Sequence, residues 1–563
     1  MSVEFSPGLT LIFGSLLVPV LRGRMRSAWV LILPVLGLAH LSLLTPGEFG
    51  IVSFLGHELV QLRVDRWSMV FGWIFMIAAL LAAVYALHVR GALQLTAGFA
   101  YAGSATGALF AGDLITLFIY WELTAVTSLL LVWAGGTRAA YRAGMRYVII
   151  QIASGMLLFF GALAQYNATG SLRFEHIGLD GPGGWLLFGA FGIKCAFPFL
   201  HNWLQDAYPE STEAGTVFLS AFTTKLAVYA LARGFAGTEI LVPIGAAMTA
   251  FPIFYAVIEN DLRRVLAYSL NNQLGFMVVG IGLGTELSLN GTASHAFAHI
   301  LYKALLFMSM GAVLHRVGTI KGSELGGLYK SMPYTAIFCI IGAASISGFP
   351  LFSGFVTKSM ILSAAGEGGY LLAWGVLLFA SAGVFHHSGI KIPYFAFFAH
   401  DSGKRCAEAP PNMLVAMAAT AFLCVAIGVY PAPLYALLPY PVDYTPYTAS
   451  HVLAQLQLLL FSALAFSVLM RYGIYPPELR STNLDFDWIY RAPLVRLVRW
   501  TTRGIRNARG ALNGVVQTGA MRIGHFILHE SAEGRRLSGR WPTGSMALWM
   551  MVLLLAYLIL YYA

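Results

Sequence analysis

The sequence predicts an all-α polytopic membrane protein with about sixteen transmembrane helices, arranged as two inverted five-helix repeats with broken helices 7 and 12. Three observations carry this prediction. Of the 563 residues, 58% are hydrophobic and only 11% are charged, whereas about 25% of residues are charged in a soluble globular protein. The apolar residues occur in long runs. Two of these runs are interrupted by proline close to a lysine.

The first element of the prediction is the set of apolar runs long enough to cross a bilayer. They cover approximately 8–22, 27–45, 67–89, 95–111, 113–133, 141–166, 184–205, 213–234, 239–258, 262–285, 291–315, 333–365, 369–390, 411–432, 449–471 and 543–562. No small-residue cleavage site follows the first run, so we expect a retained helix and not a signal peptide. The four cysteines have no CxxC or Cys/His spacing, and we expect them to be apolar fillers.

Basic residues in the loops predict the orientation. They concentrate in alternate loops, at 22–26, 88–90, 137–146, 259–264, 315–322 and 400–405. The other loops, at 46–66, 167–183, 286–290 and 433–448, contain few. The positive-inside rule makes the first set cytoplasmic, so both termini are predicted on the outer side. The net charge of +10 therefore reflects topology, and we expect no nucleic-acid partner.

The two interrupted runs predict the repeats. In 184–205, Pro198 follows Lys194 by four residues, and proline kinks or breaks a helix at that spacing. In 333–365, the stretch SGFPLFSG contains Gly348 and Pro350 and precedes Lys358. Paired interrupted helices indicate an inverted-repeat transporter with mid-membrane sites. We therefore expect N-terminal helices in 1–94, repeat 1 (helices 4–8) in 95–234, repeat 2 (helices 9–13) in 235–392, peripheral helices in 393–471, and a tail in 472–563.

The tail departs from the pattern of spans. It begins with a polar segment that contains proline, predicted to lie at the surface, and continues into a basic region. There Arg496, Arg499, Arg503 and Arg506 recur at helical spacing, as in an amphipathic helix at a membrane interface. Five glycines argue against one unbroken rod, and a disordered linker is the alternative. We predict an interfacial helix over 491–540, contacting lipids, and then a terminal transmembrane anchor.

Ionisable residues within the spans are the candidate site. A charged side chain at the bilayer centre costs roughly 2.5–3.5 kcal/mol on insertion scales, so such residues are usually functional. Glu122 is alone in its span, and Lys194 is its plausible partner; a static ion pair is the alternative. Lys225 has no acidic neighbour in its own helix. Burial favours its neutral amine, so it could exchange a proton near neutral pH.

The stretch HAFAHILYK places His295, His299 and Lys303 at i, i+4 and i+8, on one helical face. Histidine titrates near neutral pH and suits a proton relay. Core histidines bonded to a neighbouring helix are the first alternative. A metal site is the second, but no third ligand accompanies the pair and the lysine would repel a cation. We therefore expect no metal ligands here.

Lys358 ends this row, and His386, His387 and Lys391 lie near the end of the next span. The two adjacent histidines point to different faces, so we expect at most one of them to join the row. A line of ionisable groups in the membrane plane suits proton movement, whereas binding a single solute would need only one cluster.

Five motifs in this order are familiar: DLITLFIYWELTAVTS, KCAFPFLHNWLQDAYPESTEAG, ENDLRRVLAYSLNNQLGFM, HAFAHILYKALLFMSMGAVLH and SGFPLFSGFVTKSMIL. They resemble the proton-translocating antiporter-like subunit family over roughly residues 65–400. That family comprises the L, M and N subunits of respiratory complex I, their hydrogenase counterparts, and the large subunits of Mrp-type Na⁺/H⁺ antiporters. The resemblance implies two inverted five-helix repeats with broken seventh and twelfth helices.

The resemblance also implies roles for the residues. Glu122 and Lys194 would form the acid–lysine pair, and Lys225 would be the connecting lysine. The central relay would be His295, His299 and Lys303, with Lys358 as the terminal lysine. His201 matches the histidine after the broken seventh helix in M-type subunits. Lysine at position 358 looks like the L-type and Mrp-type members, the loops 391–401 and 484–491 look like the D-type members of Mrp antiporters, and the tail resembles the L-type lateral helix.

The function that we predict is proton translocation by one subunit of a multi-subunit Mrp-type antiporter, with H⁺ exchanged for Na⁺. It would act in a bacterial or organellar inner membrane beside other membrane subunits. The alternatives are a redox-driven pump of the complex I or hydrogenase type and the membrane subunit of a bicarbonate-accumulating complex. In the redox-driven case the chain would be a subunit of a translocase enzyme. We expect no cofactor, because no haem, flavin, quinone or iron–sulfur motif occurs. A membrane enzyme acting on lipids would need an interfacial acidic or nucleophile cluster, which the loops do not offer.

Overall fold

The computed structural model describes residues 5–54, 56–479, 483–532 and 542–562. It divides into two units, Met1–Asn483 and Leu484–Ala563. The first unit contains the helices that precede the tail, and the second contains the basic region and the last apolar helix.

The first unit is a bundle of apolar helices. In the N-terminal half they are α1 Pro7–Ser15, α2 Gly23–Leu43, α3 Arg66–Tyr85, α4 Ala92–Leu109, α5 Leu114–Trp133, α6 Arg138–Thr169, α7 Pro182–Lys194, α8 Asn202–Ala207, α9 Glu213–Ala221 and α10 Thr223–Phe235. They continue as α11 Leu241–Ile258, α12 Leu262–Leu283, α13 Glu286–Val317, α14 Pro333–Ser347, α15 Ser353–Glu367, α16 Leu371–Val384, α17 Pro411–Val429, α18 Ala432–Leu437 and α19 Ala449–Arg471. The helical, multi-span prediction is confirmed.

The helices differ in whether they are long enough to cross a membrane. Among the described residues, eleven helices are long and apolar enough to cross a membrane. The first predicted span, 8–22, is an α-helix only over Pro7–Ser15, and nine residues rise only about 14 Å of a bilayer core about 30 Å thick. The count of about sixteen crossings and the repeat boundaries therefore stay predictions.

A β-hairpin occupies the loop predicted at 46–66. Strands β1 Gly47–Phe54 and β2 His57–Val64 pair antiparallel, with Phe54 opposite His57. Gly56 has a φ of +80° in the connecting turn, a conformation that glycine adopts without steric cost. The side chain of Asp113 caps α5 and also accepts the amide of Val60, so the hairpin is tied to that helix. The sequence analysis placed a loop here and did not predict the hairpin.

The middle of the bundle is formed by α10, α12 and α13. α13 is buried along nearly all of its 32 residues, and α10 and α12 are almost as enclosed. A helix that is apolar on every side is typical of the interior of a large bundle. Polar side chains on these three helices therefore face other helices and are enclosed by protein.

The helices predicted to be broken are interrupted. α7 ends at Lys194 and the chain becomes helical again at Asn202, while α14 ends at Ser347 and α15 begins at Ser353. Ala196, Phe199 and Leu351 in these interruptions have φ values of +61°, +70° and +73°. Left-handed backbone costs a non-glycine residue roughly 1–2 kcal/mol. Strain of this kind persists only where the surrounding structure enforces it.

The second unit contains α20 Asp487–Arg491, α21 Pro493–Glu530 and α22 Thr543–Tyr562. α21 runs without a break through five glycines for 38 residues, about 57 Å of helix, contrary to the expectation that glycine would interrupt it. Arg496, Arg499, Arg503 and Arg506 recur on one face of it, and no residue of the helix is buried within the described chain. Residues 533–540 of the predicted interfacial segment lie outside the described residues.

Candidate functional site

The seven principal candidates occupy five helices of the first unit. They are Glu122 on α5, Lys194 on α7, Lys225 on α10, His295, His299 and Lys303 on α13, and Lys358 on α15. All except Glu122 are almost completely buried. Glu122 is partly buried. The predicted row is therefore placed inside the helix bundle, across both halves of the chain.

Lys194 is the last residue of α7, directly before the first interruption. Its Nζ donates to the Trp121 carbonyl at 2.6 Å and to Thr124 Oγ1 at 2.8 Å. It also lies 4.3 Å from the centroid of the Trp121 ring. The negative end of the α7 dipole adds to these contacts in favouring a cation. Lys194 thus binds the stretch of α5 that carries Glu122.

The Glu122 carboxylate lies against the backbone of Gly155 on α6. A Cβ added to Gly155 would be 1.3 Å from Glu122 Oε1, so only glycine leaves room for the acid in this position. Within the described chain, Oε1 has no hydrogen-bond partner and no ion pair with Lys194 is formed. Glu122 and the Lys194 ammonium therefore lie at neighbouring positions along α5. The ammonium is hydrogen-bonded to Trp121 and Thr124 and not to the acid.

Lys225 lies just after an interruption that the sequence did not predict. α9 ends at Ala221 and α10 begins at Thr223, with Phe222 at φ −105° and ψ −68°. Lys225 Nζ donates to the Ser220 carbonyl at 2.6 Å, which an unbroken helix would bond to the amide four residues ahead. Each principal lysine of the first half is thus bound at a helix interruption.

His295 belongs to a hydrogen-bonded cluster between α12, α13 and α15. Its Nδ1 lies 3.2 Å from Thr357 Oγ1, and its Nε2 lies 3.2 Å from Gln273 Oε1. The Tyr302 hydroxyl donates to the same Gln273 oxygen at 3.1 Å. His299, one turn along α13, has no hydrogen-bond partner for either ring nitrogen among the described residues. One histidine is therefore fully bonded, and the other offers both nitrogens to the interior.

A chain of hydroxyl groups extends from Lys303. Lys303 Nζ donates to Ser269 Oγ at 2.8 Å, and Ser388 Oγ donates to the same oxygen at 2.7 Å. His387 Nδ1 lies 2.9 Å from Ser388 Oγ. We call Lys303, Ser269, Ser388 and His387 the hydroxyl chain. It links α13 to a π-helical segment, Phe385–Lys391, and such segments often occur at functional sites.

Lys358 lies beside the second interruption. Its Nζ is 3.4 Å from the Ile346 carbonyl near the end of α14 and 5.3 Å from the centroid of the Phe276 ring on α12. The Gln455 amide donates to the next carbonyl, that of Ser347, at 3.1 Å. Lys358 therefore has one long hydrogen bond to the end of α14. Lys194 and Lys358 thus have similar surroundings: each lies beside a helix interruption and near an aromatic ring.

The four secondary candidates have different environments. The His201 ring lies 4.6 Å from that of Phe251, between ring centroids. His386 packs against Phe466 and Tyr475, whereas His387 belongs to the hydroxyl chain. Adjacent residues of this helical segment thus face opposite sides, as the sequence analysis expected.

Lys391 forms a buried ion pair at the end of the π-helical segment. Its Nζ lies 2.8 Å from Glu478 Oε1, with 0% and 5% of the two side chains exposed. It also donates to the carbonyls of Val257 and Glu259. Burial raises the pKa of Glu478, and the Lys391 ammonium opposes that shift. The segment after α19 was expected to lie at the surface, but the buried ammonium requires an anion and Glu478 supplies it.

Sequence reasoning missed the neutral groups of the site. Ser269, Gln273 and Ser388 lie within apolar spans, and the polar triplet at 271–273 was a usable signal. Gly155 carried no such signal, because its role depends on a side chain 33 positions earlier in the chain. Together, the interrupted helices and the buried titratable groups define a polytopic membrane protein with ionisable sites inside its helix bundle.

Comparison with known proteins shows what the chain is similar to. Residues 111–386 match the family described as "NADH:quinone oxidoreductase/Mrp antiporter, TM". The chain is 31% identical over 313 residues to the D-type component of the Na(+)/H(+) antiporter of Alkalihalophilus pseudofirmus, covering 52% of this chain and 63% of the relative. It is 32% identical over 291 residues to the N-type component of the NADH-quinone oxidoreductase of Desulforudis audaxviator, covering 48% and 58%. The chain thus spans less than two thirds of each relative.

A solved structure shows the same fold. A chain of the Mrp complex from Dietzia sp. superposes with a TM-score of 0.68 at 21% sequence identity, covering 81% of this chain and 97% of that chain. The resemblance read from the motifs is therefore confirmed. Residues 111–386 of this chain are thus similar to the transmembrane family that is named for Mrp antiporters and NADH:quinone oxidoreductases.

Proposed function

We propose that this chain moves protons along its buried row of titratable residues as one subunit of a multi-subunit cation/proton antiporter, with H⁺ exchanged for Na⁺. The observation that carries the proposal is the placement of Lys194, Lys225 and Lys358 beside helix interruptions inside the bundle. Buried ammonium groups are costly, and irregular backbone at membrane depth is tolerated where it lines a cavity or is packed in protein. Both features are typical of transport sites.

The mechanism that we propose is electrostatic. Protonation of Glu122, or displacement of the Lys194 ammonium from α5, changes the charge that the next lysine experiences. Lys225 is close enough to His299 and Lys303 to interact with both electrostatically. Because a like charge disfavours protonation, a proton gained at Lys225 favours release from its neighbours. The perturbation passes in this way through α13 to Lys358.

Unpaired polar groups line the same region. Among the described residues, buried side-chain atoms of Gln151, Gln205, Thr224, Asn271 and His299 have no protein hydrogen-bond partner. Buried polar atoms are nearly always hydrogen-bonded, to water where protein offers no partner. Ordered water at these positions would connect the titratable groups, which are separated by more than one hydrogen bond. Proton transfer between them requires such bridges.

The expected partners follow from the relatives. The relatives are named as components of an antiporter and of an oxidoreductase, and the similar structure is part of a complex. We infer that this chain assembles with other membrane subunits in a bacterial inner membrane, with both termini on the outer side. The arginines of α21 fit contact with anionic lipid headgroups at the interface.

Two substitutions test the proposed function. Glu122→Gln and Lys194→Ala should each abolish proton transport in everted vesicles that carry the complete complex, while the amount of assembled complex stays normal. Lys330→Ala is the matched control, because Lys330 is 46% exposed and pairs with Asp401 at the surface. Transport near the wild-type rate in either test variant would refute the assigned row.

A redox-driven pump is the second candidate. The relative named as a component of NADH-quinone oxidoreductase is 32% identical, as close as the antiporter relative. In that case the same row would move protons in response to electron transfer in partner subunits. A pH response to electron donors, with none to NaCl or KCl, would favour it over antiport.

A further inference from the structure

Three side chains outside the proposed row converge at one end of the bundle. His88 ends the 3₁₀ turn after α3, Glu213 begins α9, and His315 lies in the last turn of α13. His315 Nδ1 lies 3.0 Å from Glu213 Oε1, and His88 Nε2 lies 3.7 Å from the same oxygen. One ligand atom from each of the three side chains lies within 4.8 Å of the others.

We propose that His88, Glu213 and His315 bind one divalent transition-metal ion of the Zn²⁺ type. Two imidazoles and one carboxylate are a ligand set that zinc accepts, leaving the fourth position to water. Tetrahedral bonds of about 2.0–2.1 Å place ligand atoms about 3.3 Å apart. The two nitrogen–oxygen separations of 3.0 and 3.7 Å lie on either side of that value, and the two ring nitrogens lie within 4.8 Å of each other.

The surroundings of His88 favour a metal ligand. Its Nδ1 lies 2.9 Å from the Tyr85 carbonyl and 3.2 Å from the Asn412 Nδ2 amide. In the tautomer that donates to Tyr85, Nε2 carries no proton and faces Glu213. This second hydrogen bond is what metal-binding histidines usually make. Within the described residues, Nε2 is enclosed and has no hydrogen-bond partner. Glu213 Oε1 lies within hydrogen-bond distance of His315 but 3.7 Å from this nitrogen, which is too far for a hydrogen bond.

The charge and access of the cluster also suit a cation. The Arg263 guanidinium acts electrostatically on Glu213, but its two terminal nitrogens are bonded to the carbonyls of Pro209 and Ser211 and to the Thr216 hydroxyl. The His315 side chain is 30% exposed, which leaves a path for the ion and for its water ligand. A bound ion would join the turn after α3 to α9 and α13. α9 is followed by α10, which carries Lys225, and α13 carries His299.

The test is metal binding by the purified full-length protein in detergent. Isothermal titration with ZnCl₂ should show one ion per chain with a Kd of about 10 µM or lower, and bound Co²⁺ should give the visible absorption of a four-coordinate site. The substitutions His88→Ala, Glu213→Gln and His315→Gln should each weaken binding at least about tenfold. The exposed His400, replaced in His400→Ala, is the control and should leave binding unchanged.

The melting temperature without metal checks that each variant is folded. Zn²⁺ should raise the melting temperature of the wild type and of His400→Ala, but not that of Glu213→Gln, because only a ligand that binds the folded state stabilises it. The absence of saturable binding at about 1 mM Zn²⁺, or equal binding by all three site variants and the wild type, would overturn the proposal. Neither result would affect the proposed proton row.

Discussion

The substitution Gly155→Ala would displace the Glu122 carboxylate without removing it. The new Cβ would be 1.3 Å from Glu122 Oε1 and 2.4 Å from its Cδ. Restoring van der Waals contact at about 3.4 Å requires the carboxylate oxygen to retreat about 2 Å. The obstacle is the end of a flexible side chain, and alanine favours a helix over glycine by roughly 1 kcal/mol. The protein should therefore fold while its acid is displaced.

We expect this displacement to lower proton transport at least tenfold, since a shift of about 1 Å in a reacting group can cost up to about 100-fold. The assay is the initial rate of pH change in everted vesicles, normalised to the amount of assembled complex. Gly189→Ala on α7 is the control, because its Cβ would meet only Leu157 at 3.6 Å. Wild-type transport by Gly155→Ala would refute the need for Glu122 in this position.

Two further predictions concern other contacts. Ser388→Ala removes a link of the hydroxyl chain and should slow proton transport about tenfold. The loss is smaller than the roughly 100-fold expected for a lost proton-transfer group, because water can partly replace a hydroxyl. Ser467→Ala is the control, because Ser467 is exposed on α19, and an equal rate in the two variants would contradict the prediction. Asp65→Asn removes the anion bonded to Arg233 and should cost about 1.5–3 kcal/mol of stability at pH 7, measured by thermal unfolding.

The Asp65 prediction also has a pH dependence. Burial alone would raise the pKa of Asp65, but Arg233, the Ser68 amide and Arg63 together more than offset it, and the net shift is downward from the ordinary value of 3.8. A carboxyl with a lowered pKa stabilises the folded state above its unfolded pKa and loses that contribution as the pH falls through the folded value. The difference in melting temperature between wild type and Asp65→Asn should therefore be full at pH 7 and shrink below pH 3.8. A difference independent of pH would refute this linkage.

Local signals in the sequence were sufficient for the interrupted helices. Pro198, Gly348 and Pro350 lie in the two interruptions, and the lysines that precede or follow them are buried where the pattern placed them. Proline removes a backbone donor and clashes with the preceding turn, so its effect depends on few other residues. The apolar composition was likewise enough to predict a multi-span helical bundle.

The remaining features depend on contacts between distant residues. The interruption at Phe222 contains neither proline nor glycine, so no local rule signals it. The strand pattern of 57–64 was too short to separate from a loop, because the hairpin is held partly by Asp113. No spacing rule relates His88, Glu213 and His315, since three different helix ends bring them together. The sequence analysis sought metal ligands in cysteine spacings and among i, i+4 histidines, and these three residues fit neither pattern.

Lys225 offers the most direct test of the central claim that the buried row carries protons in exchange for a cation. The measurement is the pH gradient across everted vesicles that contain the complete complex, followed by fluorescence as NaCl, KCl or bicarbonate is added. We predict dequenching by Na⁺ with the wild type and none with Lys225→Ala at equal amounts of complex. Dequenching of full size in the Lys225→Ala variant would contradict the claim.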